Sequence, residues 1–230
     1  MSKLFNYLAL LLMALPFASC QEKKAEANVP KWILSMVSDS KNTSAEADFS
    51  NILSDKSVPY IGTDYQKFSI DIQKVQRTDD NQYGVSGITV VKNNRCNFRG
   101  TIDIVENREF THPTYGVDDS MKGQFRRRGC SIAKYNLEEE TSQMGSGVFT
   151  GYLLFYWYET NDGKFVYDDI DSHSDSYCNN QYAGTWKSNK TKKSKLCVWG
   201  QYRVPNSGDL DVGAGEFSVN PKYAKNGWGK

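Results

Sequence analysis

The densest chemistry in the sequence is the run Asp168-Asp169-Ile170-Asp171-Ser172-His173-Ser174-Asp175. In an extended chain alternate residues share a side, so Asp169, Asp171, His173 and Asp175 would present three carboxylates and an imidazole together. Oxygen ligands at that density suit Ca2+, and the imidazole would admit Zn2+ instead. No glycine stands where an EF-hand loop needs one, and a solvated acidic loop accounts for the same residues without a metal. A second acidic group, Asp209, Asp211 and Glu216, lies among glycines. Two carboxylates about 5 to 9 Å apart can cleave a glycosidic bond, so this group is the catalytic alternative, a polysaccharide hydrolase. The bland use of the same residues is turn capping by Asp209 and Asp211 and pairing of Glu216 with Arg203. A third candidate is aromatic. Among 14 Tyr, 11 Phe and 5 Trp, Trp157, Trp186, Trp199 and Tyr202 are the residues for a surface that stacks on sugars or on a partner, with Tyr156 and Tyr158 beside them. A β core would use them equally well.

Several chemistries are excluded or disfavoured. The sequence holds no G-x-S-x-G, H-E-x-x-H, P-loop or G-x-G-x-x-G, and only two histidines are available for acid-base work. Lys and Arg number 28 against 27 Asp and Glu. Lys3 is the only charged residue up to Cys20, so the remainder is formally neutral. A nucleic-acid partner, which demands excess cations to displace counterions, is not expected. Arg126-Arg127-Arg128 could meet an anion but reads as a solvated turn. Five cysteines are present, and setting Cys20 aside leaves Cys96, Cys130, Cys178 and Cys197. An even number in an exported chain implies disulfides, with three connectivities open. Cys178 with Cys197 is favoured because they flank a hairpin, and Cys96 with Cys130 by elimination. A four-thiolate zinc site lacks the usual Cys-x-x-Cys knuckle.

The export expectation rests on the first twenty residues. Lys3 gives a positive start, Leu8 to Leu15 an apolar run too short to span a bilayer, and Phe17-Ala18-Ser19-Cys20 a small-residue cleavage site. This segment resembles a bacterial lipoprotein signal, with Phe17 where an aliphatic residue is usual. The resemblance implies a signal peptide over 1–19 and lipidation of Cys20. Residues 20–30 then form the lipidated cysteine and a polar tether, and 31–230 one mainly-β domain. Acyl chains contribute about 0.8 kcal/mol per buried methylene, enough to hold the body at a membrane.

The chemistry-bearing residues must be positioned by the elements between. Pro30 opens a helix over Lys31 to Asp39 with Trp32, Ile33, Met36 and Val37 as its stripe, and a second short helix follows Ser44. From Tyr60 the period becomes two. Phe68, Ile70 and Ile72, then Tyr83 to Val91, then Phe98 to Ile104 read as an antiparallel meander. Residues 106–128 read as a long loop, Ser131 to Leu137 as a strand, and Glu138-Glu139-Glu140 as its acidic exit. Val148 to Tyr158 is apolar on both faces and should run through the middle of the structure. Asn161-Asp162-Gly163 is a hairpin turn, and lysines between Lys187 and Lys195 occupy the tip of another hairpin, where charge protects an edge. The glycine-rich tail reads as an ordered loop packed onto the body.

Gly184-Thr185-Trp186 is similar to the G-x-W signature of lipocalin and avidin-type barrels, although there it lies on the first strand. The stretch NNQYAGTW with CVWGQYRVPNSGDLDVGAGEF resembles a group of lipoproteins of Bacteroidetes-type bacteria. That likeness implies an envelope location and no activity. Display on the outer surface usually follows an acidic stretch after the lipidated cysteine, and here Glu22 is followed by Lys23 and Lys24. The expected fold is mainly β, an antiparallel sandwich or partly open barrel of about eight to ten strands with one or two short N-terminal helices. The expected function is non-catalytic, a lipid-anchored protein of the bacterial envelope, at the outer membrane, binding a glycan or another envelope protein. The polysaccharide hydrolase and an immunity or inhibitor protein are the other two readings.

Overall fold

The computed structural model describes residues 29–53 and 57–229; the leader, Cys20 and most of the tether lie outside the described residues. Helix α1 spans Lys31–Met36, and ten strands follow. They are β1 (Ser40–Asn42), β2 (Tyr60–Ile61), β3 (Gln66–Asp79), β4 (Gln82–Val91), β5 (Asn94–Phe110), β6 (Phe125–Glu139), β7 (Gly147–Thr160), β8 (Phe165–Tyr167), β9 (Cys178–Ser188) and β10 (Ser194–Tyr202). Every pairing between them is antiparallel. The meander β2 to β7 continues through β9 and β10, and β10 pairs back onto β2. The sheet is therefore ring-like, with β1 added to β5 and β8 to β7. It is not a regular barrel. β2 has two residues, and the register slips near Ile72, Ile104, Phe125 and Trp199, which bends the long strands around the core.

Period-two patterning explains what fills the ring. Phe68, Phe98, Tyr135, Phe149, Leu153, Trp157, Tyr182 and Trp199 all point inward and are buried. Tyr182 stacks on Trp199 at 4.5 Å, and Tyr135 meets the same indole at 5.1 Å. Room for these rings comes from Gly151 and Gly184, paired across β7 and β9: a Cβ on Gly184 would lie 2.0 Å from Thr150 O and 2.7 Å from the Tyr135 hydroxyl. The segment after Ser44 closes one end. It is a turn rather than the expected second helix, and Phe49 packs edge-on to Phe155 at 5.2 Å. Tyr83 OH donates to Ala47 O and accepts from the Phe49 amide, fixing this plug.

Two covers lie outside the ring. α1 sets Ile33 and Val37 on Cys130, Ile132 and Leu154, which is why β7 is apolar on both faces and central as expected. The tail, ending in a 3-10 turn at Pro221–Asn226, sets Val204 and Leu210 on Tyr60, Ala183 and Val198. Among the described residues no helix is long and apolar enough to cross a membrane.

Three expectations are corrected. The loop expected over 106–128 is shorter, because β5 runs to Phe110 and β6 begins at Phe125, so the arginine triplet sits on a strand. β6 also runs through Glu139, which is buried rather than a solvated exit. Finally, both disulfide pairings fail, since Cys96, Cys130, Cys178 and Cys197 are free thiols. Cys197 lies opposite Gly184 and Cys178 opposite Tyr202. The stretch from Cys178 to Gly184 alone covers about 20 Å, beyond the roughly 7 Å between Cα atoms that a disulfide spans. Cys130 lies opposite Arg108, about 40 Å along β5 from Cys96.

Candidate functional site

Between the two covers, β8 and β9 are joined by a run of turns from Asp168 to Tyr177, and a groove lies on each side of it. The loop is held from below. Arg128 on β6, 8% exposed, donates Nε to Asp168 at 2.5 Å and Nη1 to Asp171 at 2.8 Å. Asp171 also accepts from Thr114 Oγ1 at 2.6 Å. Burial pushes the Asp168 carboxyl above the ordinary range despite the guanidinium beside it. Burial presses Asp171 the same way, but Thr114 and Arg128 outweigh it and hold this carboxyl low. Burial also works against the charge on Arg128, and the two carboxylates overcome it, so the guanidinium is held above its ordinary value. Behind the loop, Asn179 Nδ2 and Tyr177 OH both donate to Asp168 O, and Gln181 and Gln201 are buried alongside. The polar groups of Arg128, Asp168, Asp171, Tyr177 and Asn179 are thus spent on shape.

The first groove, about 480 Å³, is lined by Met36, Phe110, His112, Arg128, Tyr156 and Cys178. Its thiol is not a nucleophile in waiting, because burial pushes Cys178 up to about 12. The second, about 560 Å³, is lined by His173, Asp175, Tyr177, Tyr202, Arg203 and Glu216. Tyr202 is 55% exposed and holds φ at 62°, a conformation unusual for a bulky residue, with its ring edge-on to Tyr177 at 4.8 Å. Arg203 pins the far wall, donating to Asp211 at 2.5 Å and to the carbonyls of Gly213, Ala214 and Gly215. Gly215 thereby approaches Asp175 so closely that a Cβ would come within 3.1 Å of Oδ1. His173, Asp175 and Glu216 have no side-chain hydrogen bond or ion pair among the described residues. The groove therefore offers two tyrosine rings and three uncommitted polar groups.

The sequence candidates divide accordingly. The row of Asp169, Asp171, His173 and Asp175 does not form, because the segment turns instead of extending and Asp171 is taken by Arg128. Among the described residues no three His, Cys, Asp or Glu side chains gather as a Ca2+ or Zn2+ site needs. The paired-carboxylate arrangement is not formed either. Asp209 is engaged by Lys222 and by Tyr223 OH at 2.7 Å, and both bonds hold its carboxyl low. Asp211 accepts from the amides of Gly213 and Ser218 and from Arg203, and it is held low despite partial burial. A general acid needs the opposite shift. Of the three only Glu216 faces the groove, and Arg203 pairs with Asp211 rather than with it. Trp157 and Trp199 are buried in the ring and offer no surface. Trp186 is half-buried at the other end of the ring, with Nε1 donating to Glu139 at 3.0 Å. Tyr202 alone of the four aromatic candidates is exposed.

Sequence reading missed Tyr177 as a groove residue and the buried roles of Arg128 and Glu139, which it placed in a solvated turn and an acidic exit. A signal existed for Tyr177, two residues past the acidic run and one before a strand. Fold and site together define an irregular antiparallel ring with an external aromatic groove. No protein-family model, curated protein or solved structure matches the chain.

Proposed function

We propose that this chain is a non-catalytic, lipid-anchored protein of the bacterial envelope that binds glycan in the groove beside Tyr202. One observation carries the binding half: an exposed, strained Tyr202 set against Tyr177, with His173, Asp175 and Glu216 left unpaired around it. Flat rings with a polar edge stack on the CH faces of sugars, and free carboxylates and an imidazole suit ring hydroxyls. The anchoring half is supported by the leader ending at Cys20 and by its likeness to lipoprotein signals.

The binding test is retention on a panel of bacterial and plant polysaccharides in affinity electrophoresis. Retention should weaken about tenfold in Tyr202→Ala, the loss expected of an aromatic anchor. If no polysaccharide retards the protein, or Tyr202→Ala is retarded equally, the glycan reading fails. For the anchor, mass spectrometry of the envelope fraction should find an N-terminal, acylated Cys20, and Cys20→Ala should leave the protein out of that fraction.

A further inference from the structure

A separate cavity of about 400 Å³ opens at the end of the ring opposite the Phe49 plug, where the β4–β5 turn and the β6–β7 loop meet β2, β9 and the start of β10. Its floor is Glu139, only 4% exposed. Three donors meet this carboxyl: Thr89 Oγ1 on Oε1, and the Gly147 amide at 2.7 Å with Trp186 Nε1 at 3.0 Å on Oε2. A carboxylate has about four acceptor positions, so one on Oε1 remains. All three donors are neutral, and no cation pairs with Glu139 among the described residues. Ile61, Val91, Met144 and the Trp186 indole form the apolar part of the walls, and Gln66 and Asn94 a polar part. Gly147 has a part here, since a Cβ would strike that indole at 2.4 Å. At the rim stand Lys92 and Lys195, both exposed and neither in an ion pair among the described residues. Asp64 also lines the mouth, so the lining carries as many acids as lysines.

From this order of charges, acid at the floor, apolar wall, lysines at the rim, we infer a second binding site, for a small zwitterion. Its ammonium group meets Glu139, its apolar body lies along Trp186 and Ile61, and its carboxylate reaches Lys92 and Lys195. An apolar amino acid or short peptide has this chemistry. The site is independent of the glycan groove and shares no residue with it.

The test compares L-phenylalanine, phenethylamine and 3-phenylpropanoic acid by calorimetry and by the NMR signal of the Trp186 indole N–H, using the whole chain. Phenylalanine should bind and shift that signal, and the acid, lacking the ammonium, should bind about tenfold more weakly or not at all. Lys92→Ala with Lys195→Ala should weaken phenylalanine but leave phenethylamine unchanged. Both lysines are surface residues, so these variants stay folded even where Glu139→Gln does not. Where Glu139→Gln folds, it should weaken both amines about tenfold. The inference is overturned if none of the three compounds binds, if the acid binds as well as phenylalanine, or if Tyr202→Ala rather than the lysine variants removes binding.

Discussion

Arg126, Arg127 and Arg128 are adjacent in the chain and do three different jobs. Arg126 reaches Glu159 at 3.0 Å with its side chain 59% exposed; Arg127 reaches the same carboxylate and lies 5.7 Å over Trp157; Arg128 is buried on Asp168 and Asp171. A run of like charges in the sequence reads as a solvated turn, because nothing in it reveals the acids that distant strands bring up. The consequences for stability differ. Arg128→Met leaves Asp168 buried without its partner and should cost about 3 to 5 kcal/mol. Arg126→Ala removes an exposed bond and should cost less than about 1 kcal/mol. Urea unfolding midpoints of the two variants would separate them, and equal losses would contradict the geometry. Tyr202 permits a second comparison. Tyr202→Ala and Tyr202→Gly both remove the ring, but only glycine relieves the positive φ. The glycine variant should therefore unfold about 1 kcal/mol later than the alanine variant, while both lose glycan retention.

At the level of elements, what the sequence showed depended on whether a strand has one wet face. Phe98 to Ile104 alternates cleanly and is part of β5; Val148 to Tyr158 is apolar throughout and is β7, filled on one side by the ring and covered on the other by α1. Where polar residues alternate with polar residues, the period vanishes, and the ends of β5 and β6 were not legible. The disulfide expectation failed for a related reason. Sequence counts cysteines, but register decides which ones meet, and here each lies on a different strand with no other cysteine opposite it. Register also makes a prediction at the seam of β7 and β9. Gly184→Ala would drive a methyl group into Thr150 O and against the Tyr135 hydroxyl. The strands must part or Tyr135 must leave its tilted contact with Trp199, at a cost of about 1 to 3 kcal/mol. Chemical denaturation with near-ultraviolet circular dichroism would report both the loss and the disturbed aromatic packing; an unchanged spectrum would mean the glycine pair is not what makes room for those rings.

The whole molecule is a closed core with two separable covers, and the tail is the one fastened by titratable groups. Arg203, the residue after β10, pairs with Asp211 and folds the tail back on itself, Trp228 Nε1 donates to Tyr65 O at 2.7 Å, and Phe217 and Tyr223 lie against the same face. Asp211 is held below the ordinary aspartate value, so its folded form releases the proton more readily than its unfolded form. Its stabilisation is complete above the ordinary value of about 4 and is lost as pH falls through the folded value. Asp209, bonded to Lys222, shifts in the same direction, and so does Asp171 in the neighbouring loop. Asp168 has the opposite sign: burial raises it, so its protonation on acidification does not of itself disfavour the folded state, although it removes the charge that Arg128 pairs with. The ring is fastened mainly by backbone pairing and aromatic packing, which do not titrate; its titratable contacts include the pairs of Glu159 with Arg126 and Arg127 and the hydrogen-bonded Glu139. Acidification below about pH 4 should therefore free the tail before the ring opens. Two indole N–H signals serve as an internal comparison. That of Trp228 should lose hydrogen-exchange protection on acidification, while that of Trp157, buried and donating to Ser131 Oγ at 2.9 Å, keeps it. Asp211→Asn should leave Trp228 less protected at neutral pH and nearly flat through the acid range. If both indoles lose protection at one pH, the tail and ring unfold as a single unit and the covers are not separable.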